Sequence, residues 1–207
     1  MKCKLNKKAM TLLVTLAACL FVATGITLAV LFVQTDPLEN EFGAAYVSCE
    51  VVENFTNQTK TDVRIRNTGN TNAYMRVSIV VTWKADDGHV WAMKPIEGSD
   101  YSIRFADNSG WEKGADGFYY YTTAVPAVDD LKTPLIDETL TSVLISQVRQ
   151  LKQGPQSVNG KQYSLSVEIV ASAIQAEPYE VIAKEWDNEK VDVEVENGKL
   201  SVKDKEG

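Results

Sequence analysis

The chain is predicted to fold as an all-β antiparallel sandwich with one short C-terminal helix and an appended β-hairpin, preceded by an N-terminal signal or transmembrane segment. Three observations carry that reading. Two long stretches, at 73–83 and 163–175, alternate apolar and polar residues with the period of two that marks a half-buried strand. Turn signals built on Gly, Asn and Asp recur at short intervals along the chain. The segment after Pro178 carries apolar residues at helical spacing and reads as one short helix.

At the N-terminus, Lys2, Lys4, Lys7 and Lys8 precede a stretch from Ala9 to Val33 without a single charge. A basic start followed by an apolar run reads as an export signal with its N-terminus in the cytoplasm. Two fates compete. Thr27-Leu28-Ala29 offers a cleavage site between Ala29 and Val30, with residues 1–29 removed. Alternatively the run, long enough to span a bilayer, stays as a membrane anchor to about residue 33. Leu16-Ala17-Ala18-Cys19 also fits a lipoprotein box, but the apolar run before it is short. Each fate places the body outside the cytoplasm and leaves the membrane to the N-terminal segment alone.

Residues 30–42 are expected to be an extended segment, with Val30, Leu31, Phe32 and Val33 apolar and Pro37 breaking regular structure. The sandwich domain is placed at 43–188. Strand alternation begins at 43–54, where Cys49 shares a face with Ala45, Val47 and Val51 and reads as a small buried thiol. Val63 and Ile65 then alternate with Asp62, Arg64 and Arg66, and Ala73, Met75, Val77, Ile79, Val81 and Trp83 form an unbroken apolar row. The Asn67-Thr68-Gly69-Asn70 stretch between them reads as a hairpin turn, with Gly69 supplying a positive φ.

Short strands are expected at 89–93 and 101–105, and another over 117–123, where Phe118, Tyr119, Tyr120 and Tyr121 must serve both faces of a sheet. Pro126 to Pro134 reads as a loop, 135–148 as strand-rich and 153–161 as a turn-rich connector. Tyr163, Leu165, Val167, Ile169, Ala171 and Ala173 face one way along the second long strand. Tyr179, Ala183 and Trp186 form the helix stripe. Residues 189–207 close the chain as a hairpin around Asn197-Gly198, pairing Val195 with Leu200, Val193 with Val202 and Asp192 with Lys203.

Composition narrows function. The 207 residues are 44% hydrophobic and 24% charged, ordinary for a globular protein. Setting aside the four N-terminal lysines leaves 17 basic against 28 acidic residues, a balance of -11. An acidic body lacks the clustered Lys and Arg that nucleic acids require, so no nucleic-acid partner is expected. His89 is the one histidine, which removes zincin motifs and every site needing two imidazoles. No Gly-x-Ser-x-Gly elbow or Gly-rich phosphate loop occurs. Neither Asp86-Asp87 nor Asp107-Asn108 has the ligand spacing of a calcium loop, so no metal or cofactor is expected. A hydrolase would need only two placed carboxylates, yet no motif marks a pair.

Several separated motifs align with one family. They are the Thr27-Leu28-Ala29 end of the signal, Asn40-Glu41-Phe42, Asn67-Thr68-Gly69-Asn70 and Ala73-Tyr74-Met75-Arg76-Val77. Further on come Asp116-Gly117-Phe118-Tyr119-Tyr120-Tyr121, Thr133-Pro134-Leu135 and Ile174-Gln175-Ala176 followed by Trp186. In this order, across most of residues 1–186, the chain resembles the TasA/camelysin-like proteins exported through the SipW-type signal peptidase. The resemblance implies a jelly-roll-like sandwich exported from a Gram-positive bacterium, non-enzymatic, and part of biofilm-matrix fibres or a surface layer. It also implies self-association, or association with a related matrix subunit, by strand exchange. The donor would be Val30, Leu31, Phe32 and Val33 through Phe42. The metalloprotease activity described for camelysin-like relatives does not carry over, because no zinc motif is present. An alternative is a membrane-anchored binding module for a glycan or protein ligand, with Tyr119 and Tyr121 as surface-contact aromatics.

Overall fold

The computed structural model describes residues 45–56, 59–127 and 138–205, all within one compact unit, Ala44–Gly207. The Ala29–Val30 junction, the donor segment Val30, Leu31, Phe32, Val33 to Phe42, and most of the 126–134 loop lie outside the described residues.

The strands are β1 (Cys49–Thr56), β2 (Thr59–Asn67), β3 (Ala73–Lys84), β4 (Tyr101–Phe105), β5 (Trp111–Lys113), β6 (Tyr119–Tyr121), β7 (Ile145–Gln150) and β8 (Ser164–Gln175). Helix α1 (Tyr179–Trp186) and the hairpin β9 (Val191–Glu196) and β10 (Lys199–Asp204) follow. Two four-stranded antiparallel sheets, ordered β1-β2-β7-β4 and β5-β6-β3-β8, face each other. Between them Val63, Ile65, Ile145 and Val148 of one sheet meet Ala73, Met75 and Val77 of the other. This is the predicted all-β sandwich, and the apolar rows of β3 and β8 line its interior as period two requires.

The expected hairpin between β2 and β3 is not formed. β2 pairs with β1 and β7, β3 pairs with β6 and β8, and residues 68–72 carry the chain from one sheet to the other. Alternation reports which face is buried, not which neighbour shares the ladder, and both strands bury the same inter-sheet face from opposite sides. Gly69 also acts differently from the expectation. A Cβ there would lie 2.6 Å from the Tyr46 carbonyl oxygen and 3.0 Å from the Ser48 amide nitrogen, so the residue serves close backbone approach.

Asn67, fully buried, organises the crossover. Its Nδ2 donates to the carbonyls of Thr71 at 2.9 Å and Val125 at 3.0 Å, while its Oδ1 accepts the Gly69 amide at 2.9 Å. The next residues tie in the start of the domain: the Thr68 amide donates to the Ser48 carbonyl, and the Asn70 amide to the Tyr46 carbonyl.

A bulge crosses the first sheet. Asp62 takes φ 55, the β1–β2 register shifts between Val52 and Asn54, and the β4–β7 register shifts between Arg104 and Phe105. On one side Val63 pairs with Ile145, both buried; on the other Lys60 pairs with buried Val148. Directly opposed residues share a face, so the bulge turns Lys60 inward.

A third layer covers part of the outer face of β3, β6 and β8. Tyr74, Tyr120 and Ile174 pack there against Ile182 and Trp186 of α1 and Val191, Val193 and Leu200 of the hairpin. The buried stripe of α1 is Ile182 and Trp186, one turn apart, whereas Tyr179 is exposed. The hairpin register is the predicted one, Val195 with Leu200, Val193 with Val202 and Asp192 with Lys203, around Asn197 and Gly198 at φ 50 and 75. The strand expected at 89–93 reduces to one bridge between Lys84 and Val90. Val90 and Met93 have no sheet face to bury and stay exposed, while Trp91 packs edge-on against Tyr163 at 5.0 Å. Residues 139–144 run beside β2, with the Thr141 and Leu144 amides donating to the carbonyls of Ile65 and Val63, before β7 begins.

Candidate functional site

The feature least explained by the needs of a closed domain is the outer edge of β8. β3 pairs with β8 over its full length, Ala73 opposite Gln175 to Lys84 opposite Ser164. Among the described residues no strand pairs with its other side. Three hydrogen bonds establish which backbone groups point outward. The Ala176 amide donates to the Asn72 carbonyl at 2.8 Å, continuing the β3 ladder, so even-numbered residues face β3. The Tyr163 amide instead donates to the Pro155 carbonyl at 3.0 Å, and the Val167 carbonyl accepts the Lys60 ammonium at 2.8 Å. Odd-numbered residues from Leu165 to Gln175 therefore present N–H and C=O groups to the open side, the row that templates strand addition.

The two ends of this edge differ. At the Ser164 end a cavity of about 220 Å³ opens between the sheets, lined by Phe55, Lys60, Val148, Gln150, Ser164, Leu165 and Val167. Phe55, opposite Lys60 across the β1–β2 ladder, is 69% exposed at this mouth. The Lys60 side chain is 14% exposed and pairs with Glu53 at 2.8 Å. At the Gln175 end a groove of about 470 Å³ runs past Val47, Ala173 and Ile174 to Arg76, Val181 and Trp186. The Arg76 guanidinium there lies between the Phe118 and Trp186 rings, 4.5 and 4.9 Å from their centres. The inner rim along this side stays half-buried at Cys49, Val51, Leu165, Val167, Ile169, Ala171 and Ala173, so the sandwich is less sealed here than at its centre.

Tyr119 and Tyr121 are half-buried and turn toward the inter-sheet core. Tyr119 stacks on Phe105 at 4.8 Å, and Tyr121 lies 5.0 Å from Trp111, its hydroxyl accepting the Ser142 amide. Tyr120 takes the opposite face, fully buried, and donates to Asp116 at 2.6 Å. Burial, then that hydrogen bond, pushes its phenol up to about 12. Burial likewise raises the Cys49 thiol, the inert state expected of a packed cysteine. His89 is exposed, 3.9 Å from Asp87, and Asp87 is held below the usual carboxylate range first by its hydrogen bond from Lys161. Among the described residues no three His, Cys, Asp or Glu side chains converge.

The alternation of Val63 and Ile65, extended backward, puts Thr61 inside and Lys60 outside, and so conceals Lys60. The only sequence signal for the reversal is Asp62, a residue type that tolerates left-handed φ. No protein-family model, curated protein or solved structure matches this chain.

Proposed function

We propose that the protein is an exported, non-enzymatic structural subunit of the cell surface or biofilm matrix. It assembles when the Val30 to Phe42 segment of one copy adds as a strand to the open edge of β8 in the next. The edge of β8, unpaired among the described residues, carries this reading, because backbone groups supply affinity in strand addition and alternate side chains supply specificity. Strand order adds support. β8-β3-β6 and β2-β7-β4 follow the order of an eight-stranded jelly roll, in which the first strand would lie beside the eighth. Here β1 sits beside β2 instead, and no described strand takes that position. The β9–β10 hairpin leaves the edge accessible, since it docks near β5 and β6 at the other end of the sheet, with the Leu200 amide on the Thr122 carbonyl, while α1 borders the edge at its Gln175 end.

The test uses protein beginning at Val30 and a second form beginning at Ala44, compared by sedimentation and electron microscopy over a concentration series. The first is expected to form linear assemblies. The second should stay monomeric and cap assembly of the first by offering edges without donors. A Val30 form that remains monomeric at high concentration refutes the proposal.

A further inference from the structure

We propose that Lys60 sets the register of strand addition: by holding the Val167 carbonyl, it confines the incoming strand to the Ile169–Gln175 half of the β8 edge. The inference rests on the strand-addition reading above and takes the same occupant, the Val30 to Phe42 segment of a second copy.

Lys60 stands on β2, in the middle of the opposite sheet, and only the reversal at Asp62 turns it inward. From there its ammonium reaches across the inter-sheet opening to a carbonyl on the outer side of β8. An inward lysine without function would be replaced at little cost by an apolar residue matching Val148, Leu165 and Val167. Instead the ammonium is satisfied from two sides, by Glu53 of the edge strand β1 and by Val167 of the edge strand β8. A charged group on an edge acceptor is a recognised means of refusing a new strand.

Upstream of Leu165 the edge is closed by backbone. The Tyr163 amide is used by Pro155, and a Cβ at Gly154 would lie 1.9 Å from the Tyr163 carbonyl oxygen, so the 151–162 connector sits directly on that end. Leu165 and Val167 therefore lie between a covered end and a capped acceptor. The outward groups that remain are those of Ile169, Ala171, Ala173 and Gln175. Ala173 and Gln175, at the far end of this row, border the groove, with Val47 on the inner side and Val181 and Trp186 on the outer, so that side chains of a strand pointing alternately to its two faces find apolar contact there beside the charges of Arg76 and Glu185. The first described residues are anchored beside the same groove, Tyr46 by Asn70. The first described residues of a copy therefore lie close to that copy's own acceptor edge.

The experiment measures amide exchange across β8 in assembled protein beginning at Val30, which contains the whole compact unit, with Lys60→Met beside the wild type. In wild-type assemblies the amides of Ile169, Ala171, Ala173 and Gln175 should gain protection on assembly, and those of Leu165 and Val167 should not. In Lys60→Met the protection should extend to Leu165 and Val167. The concentration at which assembly begins should fall about tenfold, since two further outward-facing residues become available for pairing. Protection through Leu165 in the wild type, or an unchanged pattern in Lys60→Met, overturns the register role while strand addition stands. If no β8 amide gains protection in either protein, strand addition on β8 fails and this inference fails with it. Lys60→Arg, which retains the charge and a donor, should keep the wild-type boundary; a boundary that moves as in Lys60→Met also overturns the proposal.

Discussion

Replacing Asn67 tests whether the crossover between the sheets is held by one side chain. Asn67→Ala removes three hydrogen bonds at a site with no solvent access. They are not equivalent. The Val125 carbonyl keeps the Ala73 amide at 3.1 Å, so it loses only a second partner. The Gly69 amide is buried and loses its acceptor outright, a loss of about 1 to 3 kcal/mol. The half-buried Thr71 carbonyl, within reach of water, adds about 1 kcal/mol. The expected total is about 2 to 4 kcal/mol. Asn67→Asp is the informative partner, having the same shape and keeping the acceptor for Gly69, but placing a carboxylate against two carbonyls. It should destabilise at least as much as alanine at neutral pH, because a buried charge facing acceptors has no compensation. Urea denaturation followed by tryptophan fluorescence measures both. With a slope of about 2 kcal/mol per molar, the midpoint should fall by about 1 to 2 M. A loss below about 1 kcal/mol for alanine, or an aspartate variant as stable as wild type, would refute the assignment of Asn67 as the anchor.

Three further substitutions probe other parts of the fold. The Tyr120 phenol is raised from 10.0 to about 12, so the fold favours its neutral form; that contribution is whole below pH about 10 and disappears as pH rises toward 12. Two pK units correspond to about 2 to 3 kcal/mol, so wild-type stability should fall more steeply than that of Tyr120→Phe between pH 9 and pH 11; parallel denaturation curves at both pH values would contradict this. Gly154→Ala should cost about 1 to 3 kcal/mol or more, because its Cβ meets rigid backbone at 1.9 Å, whereas Gly160→Ala, at φ 77 in open space, bears only backbone strain of about 1 kcal/mol. The reverse ranking of their denaturation midpoints would show that the connector shifts freely away from β8.

Much of the fold was legible where one physical rule acts alone. The Asn197-Gly198 turn needs two consecutive positive φ values, and that local demand predicts the β9–β10 register pair by pair. The inward rows of β3 and β8 follow from period two. Partner choice was not legible, because a strand on either side of the core buries the same kind of row; hence the expected β2–β3 hairpin, where the chain crosses between sheets. Gly69 illustrates a related gap, since its small size answers to Tyr46 and Ser48, more than twenty residues away in sequence. In α1 both Tyr179 and Ile182 fit a helical stripe with Trp186, and packing against the hairpin buries Ile182. The open edge of β8 was hidden for the same reason as the crossover: an edge is defined by what does not pair with it.

The bulge at Asp62 links these levels. A regular β2 would carry its alternation through to the end of the strand, turning Thr61 inward and leaving Lys60 in solvent on the outer face. One residue in left-handed conformation reverses that, and its effect reaches every strand of the sheet, since β1 and β4 shift register at the same height and Phe55, Val148 and Ile103 stay in step. The consequence is felt on the other sheet, where an ammonium now meets an edge carbonyl of β8. A bare edge of this length would accept any extended chain, including a second β8, and a covered one would accept none. Closing one half with a connector and a charged side chain, while the other half ends beside a groove that joins Val47, Val181 and Trp186 to Arg76 and Glu185, would meet both requirements. In the proposed assembly the acidic balance of the body would work alongside, because copies that repel at long range associate only where short-range backbone pairing is available.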